Sequence, residues 1–224
     1  MKQTTLALTL AATSLALALV PLATEAAPKP PKPQPGQNTL TIAASPSPVL
    51  FGRSTAISGK LLGPNAADQK VNLRADSFPF DSLAAAGSAT TTATGDWTLA
   101  QSPTVNTRYQ ARAGSVESPV TTVLVRPAVT LRLSDATPKR GQRVRFAGRV
   151  CPEHDGSRLS IQRRSDGKYS TVARATLKDV AGSACSSYAR TLRVYRDGRY
   201  RAVIAAHSDH TTGHSRSRLA NAHN

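Results

Sequence analysis

The chain has 224 residues, with 29 Lys or Arg against 13 Asp or Glu and a formal net charge of +16. At 39% hydrophobic it can form cored domains, but with 4% aromatic residues it lacks the stacking side chains that readers of single-stranded nucleic acid use. Two cysteines, Cys151 and Cys185, exclude a cysteine-rich scaffold and leave one bridge to consider.

The first element expected is a signal peptide over residues 1–26. Met1-Lys2 is a small positive start, residues 6–20 are almost wholly Ala, Leu, Thr and Ser, and Ala26 ends a run of small residues suited to cleavage. The apolar run is shorter than the roughly 20 residues that span a bilayer, so no transmembrane segment is expected in the mature chain. No twin arginine precedes it and no cysteine follows it, which points to general secretion rather than to a lipoprotein. Residues 27–38, APKPPKPQPGQN, carry five prolines and form a semi-rigid, extended spacer.

From residue 39 the chain repeats itself once. Gly52, Ile57, Gly59 and Leu61 correspond to Gly141, Phe146, Gly148 and Val150 at an offset of 89 residues. Val71 and Leu73 answer to Leu159 and Ile161, while Trp97 and Tyr109 answer to Tyr188 and Tyr200 at an offset of 91. Loop-length change between two copies explains the shift, and the copies divide near Arg126-Pro127 into domains 39–126 and 127–224.

Each copy has a period of two. Thr55, Ile57, Gly59 and Leu61 face one way, with Ser54, Ala56, Ser58 and Lys60 opposite. In the second copy Val144, Phe146, Gly148 and Val150 share a face, and Arg143, Arg145, Ala147 and Arg149 share the other. Such alternation over short runs, punctuated by Gly, Pro, Asp and Asn, predicts half-buried antiparallel strands and no helix. About seven strands per copy implies an all-β chain of two tandem immunoglobulin-like sandwiches. Tyr109 and Tyr200 each follow a turn, as a tyrosine corner or as ordinary half-buried strand tyrosines.

The phrases FGRSTAISGKLLGPN…QKVNLRA and GQRVRFAGRVCPEHDGSRLSIQRR resemble the bacterial secreted immunoglobulin-like repeats of actinobacterial type. That resemblance implies no catalytic residues, and a role as spacer, adhesion module or binding module on secreted or surface proteins. Export and an even cysteine count predict a Cys151–Cys185 disulfide. Closing a loop of 34 residues, it is worth roughly 3–4 kcal/mol in the chain-entropy model. Cys151 shares the parity of the outward arginines, so the bridge is expected at a strand end and not between sheet cores.

The search for chemistry is mostly empty. Ser165-Asp166-Gly167-Lys168 has the spacing of a penicillin-recognising Ser-x-x-Lys, but Asp-Gly between strands predicts a hairpin turn. Residues 213–217, GHSRS, lack the last glycine of a nucleophile elbow. Asp155 is expected as a turn former. His207, His210 and His214, with Asp209, offer ligand types for zinc or copper. On one extended segment they do not converge without a defined turn, so neither a metal nor a cofactor is expected. Nothing selects a carboxylate pair, and no enzyme activity is expected.

Charge is the remaining signal. Residues 39–126 carry seven Lys/Arg and five Asp/Glu; residues 127–224 carry nineteen and seven. Arg143, Arg145 and Arg149 are expected to project from one sheet. Arg158, Arg199, Arg201 and Arg218 are expected on the other, with Arg158 and the Arg199/Arg201 pair in one continuous patch and the side of Arg193 left open. Candidate partners are cell-wall polymer, anionic glycan or another surface protein, without sequence-specific nucleic-acid binding. The excess of 21 Arg over 8 Lys is equally the mark of a GC-rich genome. The expectation is therefore a non-enzymatic, secreted or cell-surface structural or adhesion module, with binding of an anionic polymer (wall polymer, glycan or nucleic acid) through the Arg-rich second domain as the alternative.

Overall fold

Alternating apolar positions become strands wherever both sides of the pleat find a suitable environment. The computed structural model describes residues 38–224; the expected signal peptide and all but the last residue of the spacer lie outside the described residues. Ten strands have six residues or more. In the N-terminal half they are β1 (Thr55–Leu62), β2 (Lys70–Ser77), β3 (Ala84–Thr90), β4 (Asp96–Gln101) and β5 (Thr107–Ala113). In the C-terminal half they are β6 (Gln142–Cys151), β7 (Arg158–Ser165), β8 (Lys168–Thr176), β9 (Ser186–Val194) and β10 (Gly198–Ile204). Short edge strands flank them. Among the described residues there is no helix long and apolar enough to cross a membrane.

Both halves use the same pairing. β1 pairs antiparallel with β4, and β6 with β9; in the second sheet β2 lies between β3 and β5, and β7 between β8 and β10. Inward side chains of both sheets meet in one core per half. Ile57, Leu61, Val71, Leu73, Trp97 and Tyr109 belong to the first, and Val144, Phe146, Leu159, Ile161, Tyr188 and Tyr200 to the second. The chain is thus all-β and built of antiparallel sheets, with a single short parallel pairing between Val125–Arg126 and Val49–Leu50 among the described strands.

The two halves also match contact by contact. Gly59 stands opposite Trp97 and Gly148 opposite Tyr188. A Cβ on either glycine would overlap the carbonyl oxygen of the crossing segment, Thr41 in the first copy and Thr130 in the second. Those threonines bind alike: the backbone N–H of Lys60 donates to Thr41 Oγ1 at 2.8 Å, and that of Arg149 to Thr130 Oγ1 at 2.9 Å. A serine clasp also recurs, with Ala111 N–H donating to Ser118 Oγ at 2.9 Å and Ala202 N–H to Ser215 Oγ at 3.0 Å.

The clasp shows where the copies differ. Ser118 follows Ala111 by seven residues and Ser215 follows Ala202 by thirteen, so the second copy has six more residues in this loop. The longer loop folds onto the N-terminal half. Asn106 N–H donates to the Asp209 carbonyl at 2.8 Å, Thr211 N–H to the Val125 carbonyl at 2.9 Å, and Asn106 Nδ2 to the Ser208 carbonyl at 3.2 Å. Asn106 Oδ1 meanwhile accepts from Val125 N–H at 2.8 Å. Asn106 and His210 are both buried in this seam.

Ser165 and Lys168 face each other across a hairpin whose corner residues, Asp166 and Gly167, both have positive φ. The Ser-x-x-Lys spacing therefore belongs to a two-residue β-turn, in which Asp-Gly tolerates the left-handed backbone. The hydroxyl that bonds back to the main chain is not that of Tyr109 or Tyr200 but that of Tyr188, which reaches the Thr130 carbonyl at 2.5 Å. Tyr200 instead packs on Phe146, ring centroids 4.9 Å apart.

Candidate anion-binding face

β6 carries its arginines on the face away from the core because Val144, Phe146 and Val150 hold the other face at zero exposure. Arg143, Arg145 and Arg149 are all exposed. Across the ladder Arg145 meets Thr191, Ala147 meets Ala189 and Arg149 meets Ser187. Small residues in the middle and long ones at both ends hollow the face into a shallow concavity of about 790 Å³. Its floor is Ala147, Gly148 and Ala189, and its cationic rim is Arg132, Arg145, Arg149 and Lys178. No Asp or Glu lines it, and among the described residues none of the four cations is in a salt bridge.

Cys151 and Cys185 are joined in a disulfide at the edge of this concavity. The bridge ties the end of β6 to the segment entering β9, at a strand end. Beside it Lys178 pairs with Ser187 through backbone hydrogen bonds of 2.8 Å in both directions, which fixes Lys178 at the rim.

The same face extends toward Arg143. Arg143 stands directly opposite Arg193, whose Nη1 donates to the Gly141 carbonyl at 2.9 Å. Like charges directly across a ladder repel, and among the described residues neither arginine is in a salt bridge. An anion placed over such a face gains from several guanidinium forks at once.

The second sheet does not carry the patch expected of it. Arg199 lies opposite Arg164 and Arg201 opposite Gln162, whereas Arg158 stands at the far end of β7, opposite Thr176 of β8. At about 3.4 Å per residue, four positions along β7 separate Arg158 from the Arg201 level by roughly 14 Å, so the patch is not continuous. Arg201 is engaged: its Nε donates to Gln162 Oε1 at 2.9 Å and its guanidinium covers the Tyr169 ring at 3.8 Å. Arg218 does not join the outward set either. It pairs with the core-facing Tyr200, so it shares that parity, and its Nε donates across to the Leu131 carbonyl at 3.1 Å. Leu219, 42% exposed, takes the outward place beside Arg199.

Sequence reasoning missed Arg132 and Lys178 as neighbours of the β6 arginines and left Arg193, now opposite Arg143, without a side. The alternation Leu131-Arg132-Leu133 could have placed Arg132 outward; Lys178 is brought in only by the disulfide-bounded loop. Of the three histidines considered together, His210 is buried in the seam, His207 is exposed nearby, and His214 lies on an edge strand opposite Val203. His154, which the sequence did not group with them, has its ring 5.0 Å from that of His210.

No family model matches this chain, and no curated protein matches it. Among solved structures it is similar to one described as a tetra-tandem repeat in the extending region of a large adhesion protein. The identity is 15%, the TM-score 0.35, and the match covers 84% of this chain and 50% of that one. The chain thus spans about half the length of that structure.

Proposed function

We propose that the protein is a non-enzymatic, extracytoplasmic structural or adhesion module made of two immunoglobulin-like domains, residues 39–126 and 127–224, exported by the signal peptide of residues 1–26. The observation that carries this reading is the hydrogen-bonded seam: Asn106, Val125, Asp209 and Thr211 link the two cores through backbone and amide groups. Repeated domains joined by such a seam suit a spacer, because a spacer must hold its orientation. The disulfide fits a chain that folds in an oxidising compartment. Calorimetry of the purified chain tests the reading. A single cooperative transition is expected, and two independent transitions overturn it.

A second reading, binding of an anionic polymer, is favoured by the uncompensated rim of Arg132, Arg145, Arg149 and Lys178. Wall polymer and acidic glycan are the partners of matching chemistry. Retention on immobilised heparin and polyphosphate across a salt series tests it, comparing the chain with an Arg132→Ser/Arg145→Ser/Arg149→Ser/Lys178→Ser variant. Retention that persists at physiological salt and is lost in the variant supports binding; equal elution of the two defeats it.

A further inference from the structure

We propose that His154, Asp209 and His210 form a binding site for a divalent transition-metal ion of the zinc type, set at the seam between the two halves. One ligand atom from each of the three lies within 4.8 Å of the others. Three residues from two separate loops converge there, and hydrogen bonding leaves each imidazole with one free lone pair.

His210 is 2% exposed. Its Nε2 is 2.8 Å from the Thr104 carbonyl oxygen, which can only accept, so Nε2 bears the hydrogen. In the neutral ring Nδ1 is then a bare lone pair, and it lies 2.9 Å from Asp209 Oδ2. A lone pair facing a carboxylate at that distance is repulsive unless a proton or a metal cation stands between or beside them. His154 has the complementary arrangement. Its Nδ1 is 2.9 Å from the Pro152 carbonyl and takes the hydrogen, while its Nε2 is buried with no hydrogen-bond partner. A buried polar nitrogen without a partner is costly, and ligation satisfies it.

These are the outer contacts that metal-ligating histidines use, one ring nitrogen donating to a backbone carbonyl and the other left for the ion. The spacing agrees. With Zn–N bonds of 2.0–2.1 Å and a tetrahedral angle, two imidazoles on one ion have centroids about 5 Å apart; those of His154 and His210 are 5.0 Å apart. Two nitrogens and one carboxylate suit zinc and its neighbours rather than calcium or magnesium, which take six or more oxygens or keep several waters. His207, exposed and with its ring 5.4 Å from that of His154, is the nearest candidate for a fourth ligand, water being the other.

The scaffold holds the ligands independently of one another. His154 is pinned by its N–H to Ser186 Oγ at 2.7 Å, next to the Cys151–Cys185 bridge. His210 and Asp209 belong to the six-residue extension that docks on residues 104–106. An ion bound here therefore joins the disulfide loop to the extension and strengthens the seam.

Equilibrium dialysis of the purified full chain against Zn²⁺, read by elemental analysis, tests the site, with Co²⁺ absorption reporting coordination. One ion per chain and a cobalt band of tetrahedral intensity are expected. His154→Ala and Asp209→Asn should each weaken binding by at least about tenfold, while His214→Ala leaves it unchanged. Nitrogen NMR of the unmutated chain gives a reading that does not depend on variant folding: zinc should shift His154 Nε2 and His210 Nδ1. Substoichiometric uptake, equal affinity in Asp209→Asn, or shifts confined to His214 and His223 overturn the proposal. So does a His210 ring that keeps both hydrogens with zinc present, since it would be an imidazolium paired with Asp209.

Discussion

The Tyr188 hydroxyl donates to the Thr130 carbonyl oxygen at 2.5 Å, passing over the place where Gly148 has no side chain. In the first copy Trp97 takes the same station over Gly59, but its Nε1 is buried without a partner. One repeat position thus has a formed bond in one half and an unused donor in the other. Gly148→Ala should destabilise the chain by about 3 kcal/mol, the upper part of the range for overpacked sites, since the new Cβ meets backbone that cannot step aside. Tyr188→Phe should cost about 1 kcal/mol, the net worth of a neutral hydrogen bond. Urea unfolding of both variants checks the order; a Tyr188→Phe loss equal to that of Gly148→Ala would contradict it.

Alkaline pH should act through the buried tyrosines. Burial pushes the Tyr109 phenol up to about 12, against the opposing hydrogen bond from Thr107, and burial also raises Tyr188 and Tyr200, the latter against the pull of Arg163. Between the unfolded value near 10 and these folded values, the unfolded chain releases protons that the folded chain keeps. Stability is therefore whole below pH 10 and falls as pH rises above it, by roughly 1.4 kcal/mol per pH unit for each tyrosine involved. Unfolding midpoints from pH 9 to about pH 12, with phenolate absorbance followed in parallel, should show the fall lessened in Tyr109→Phe. An unchanged slope in that variant would contradict it.

Arg218 and Arg149 should separate stability from surface charge. Arg218 reaches across to the Leu131 carbonyl, and Arg149 lines the open concavity. Arg218→Ala should lower stability by about 1 kcal/mol with little change in retention on an anionic matrix. Arg149→Ser should lower retention and leave the unfolding midpoint nearly unchanged, as exposed charges contribute little to stability. A reversed pattern would show that both assignments are mistaken.

Asn106→Asp is the sharpest probe of the seam. It keeps an oxygen to accept from Val125 N–H, but removes the amide hydrogen given to Ser208 and sets a carboxylate against that carbonyl. A loss of about 1–3 kcal/mol is expected, together with splitting of the single calorimetric transition. A single unshifted transition would show that the Asn106 amide contributes nothing to the coupling of the halves.

Strand existence and face were legible in residues 55–61 and 142–150, because a period of two with one apolar side admits one orientation of each strand. The pairing of Cys151 with Cys185 followed from their number and the expected compartment. Register was not legible. Nothing in the sequence says that Arg199 meets Arg164 or that Arg218 shares Tyr200's parity, since the first depends on where β10 enters the sheet and the second on where the chain re-enters it after the long loop. The approach of His154 to His210 was hidden for the same reason, being fixed by a docked loop and a disulfide rather than by periodicity.

The seam also gives the pair of copies a direction. The counterpart of Asn106 in the second copy is Asp197, which keeps the matching bond, accepting from Ala222 N–H at 2.6 Å, but has no amide to offer an incoming loop. The first copy has the socket and a short turn; the second has the plug and an acid where the socket would be. Each copy is therefore complementary to its sibling and not to itself. By this contact the two copies meet as unlike faces, an amide socket in one and a docking loop in the other.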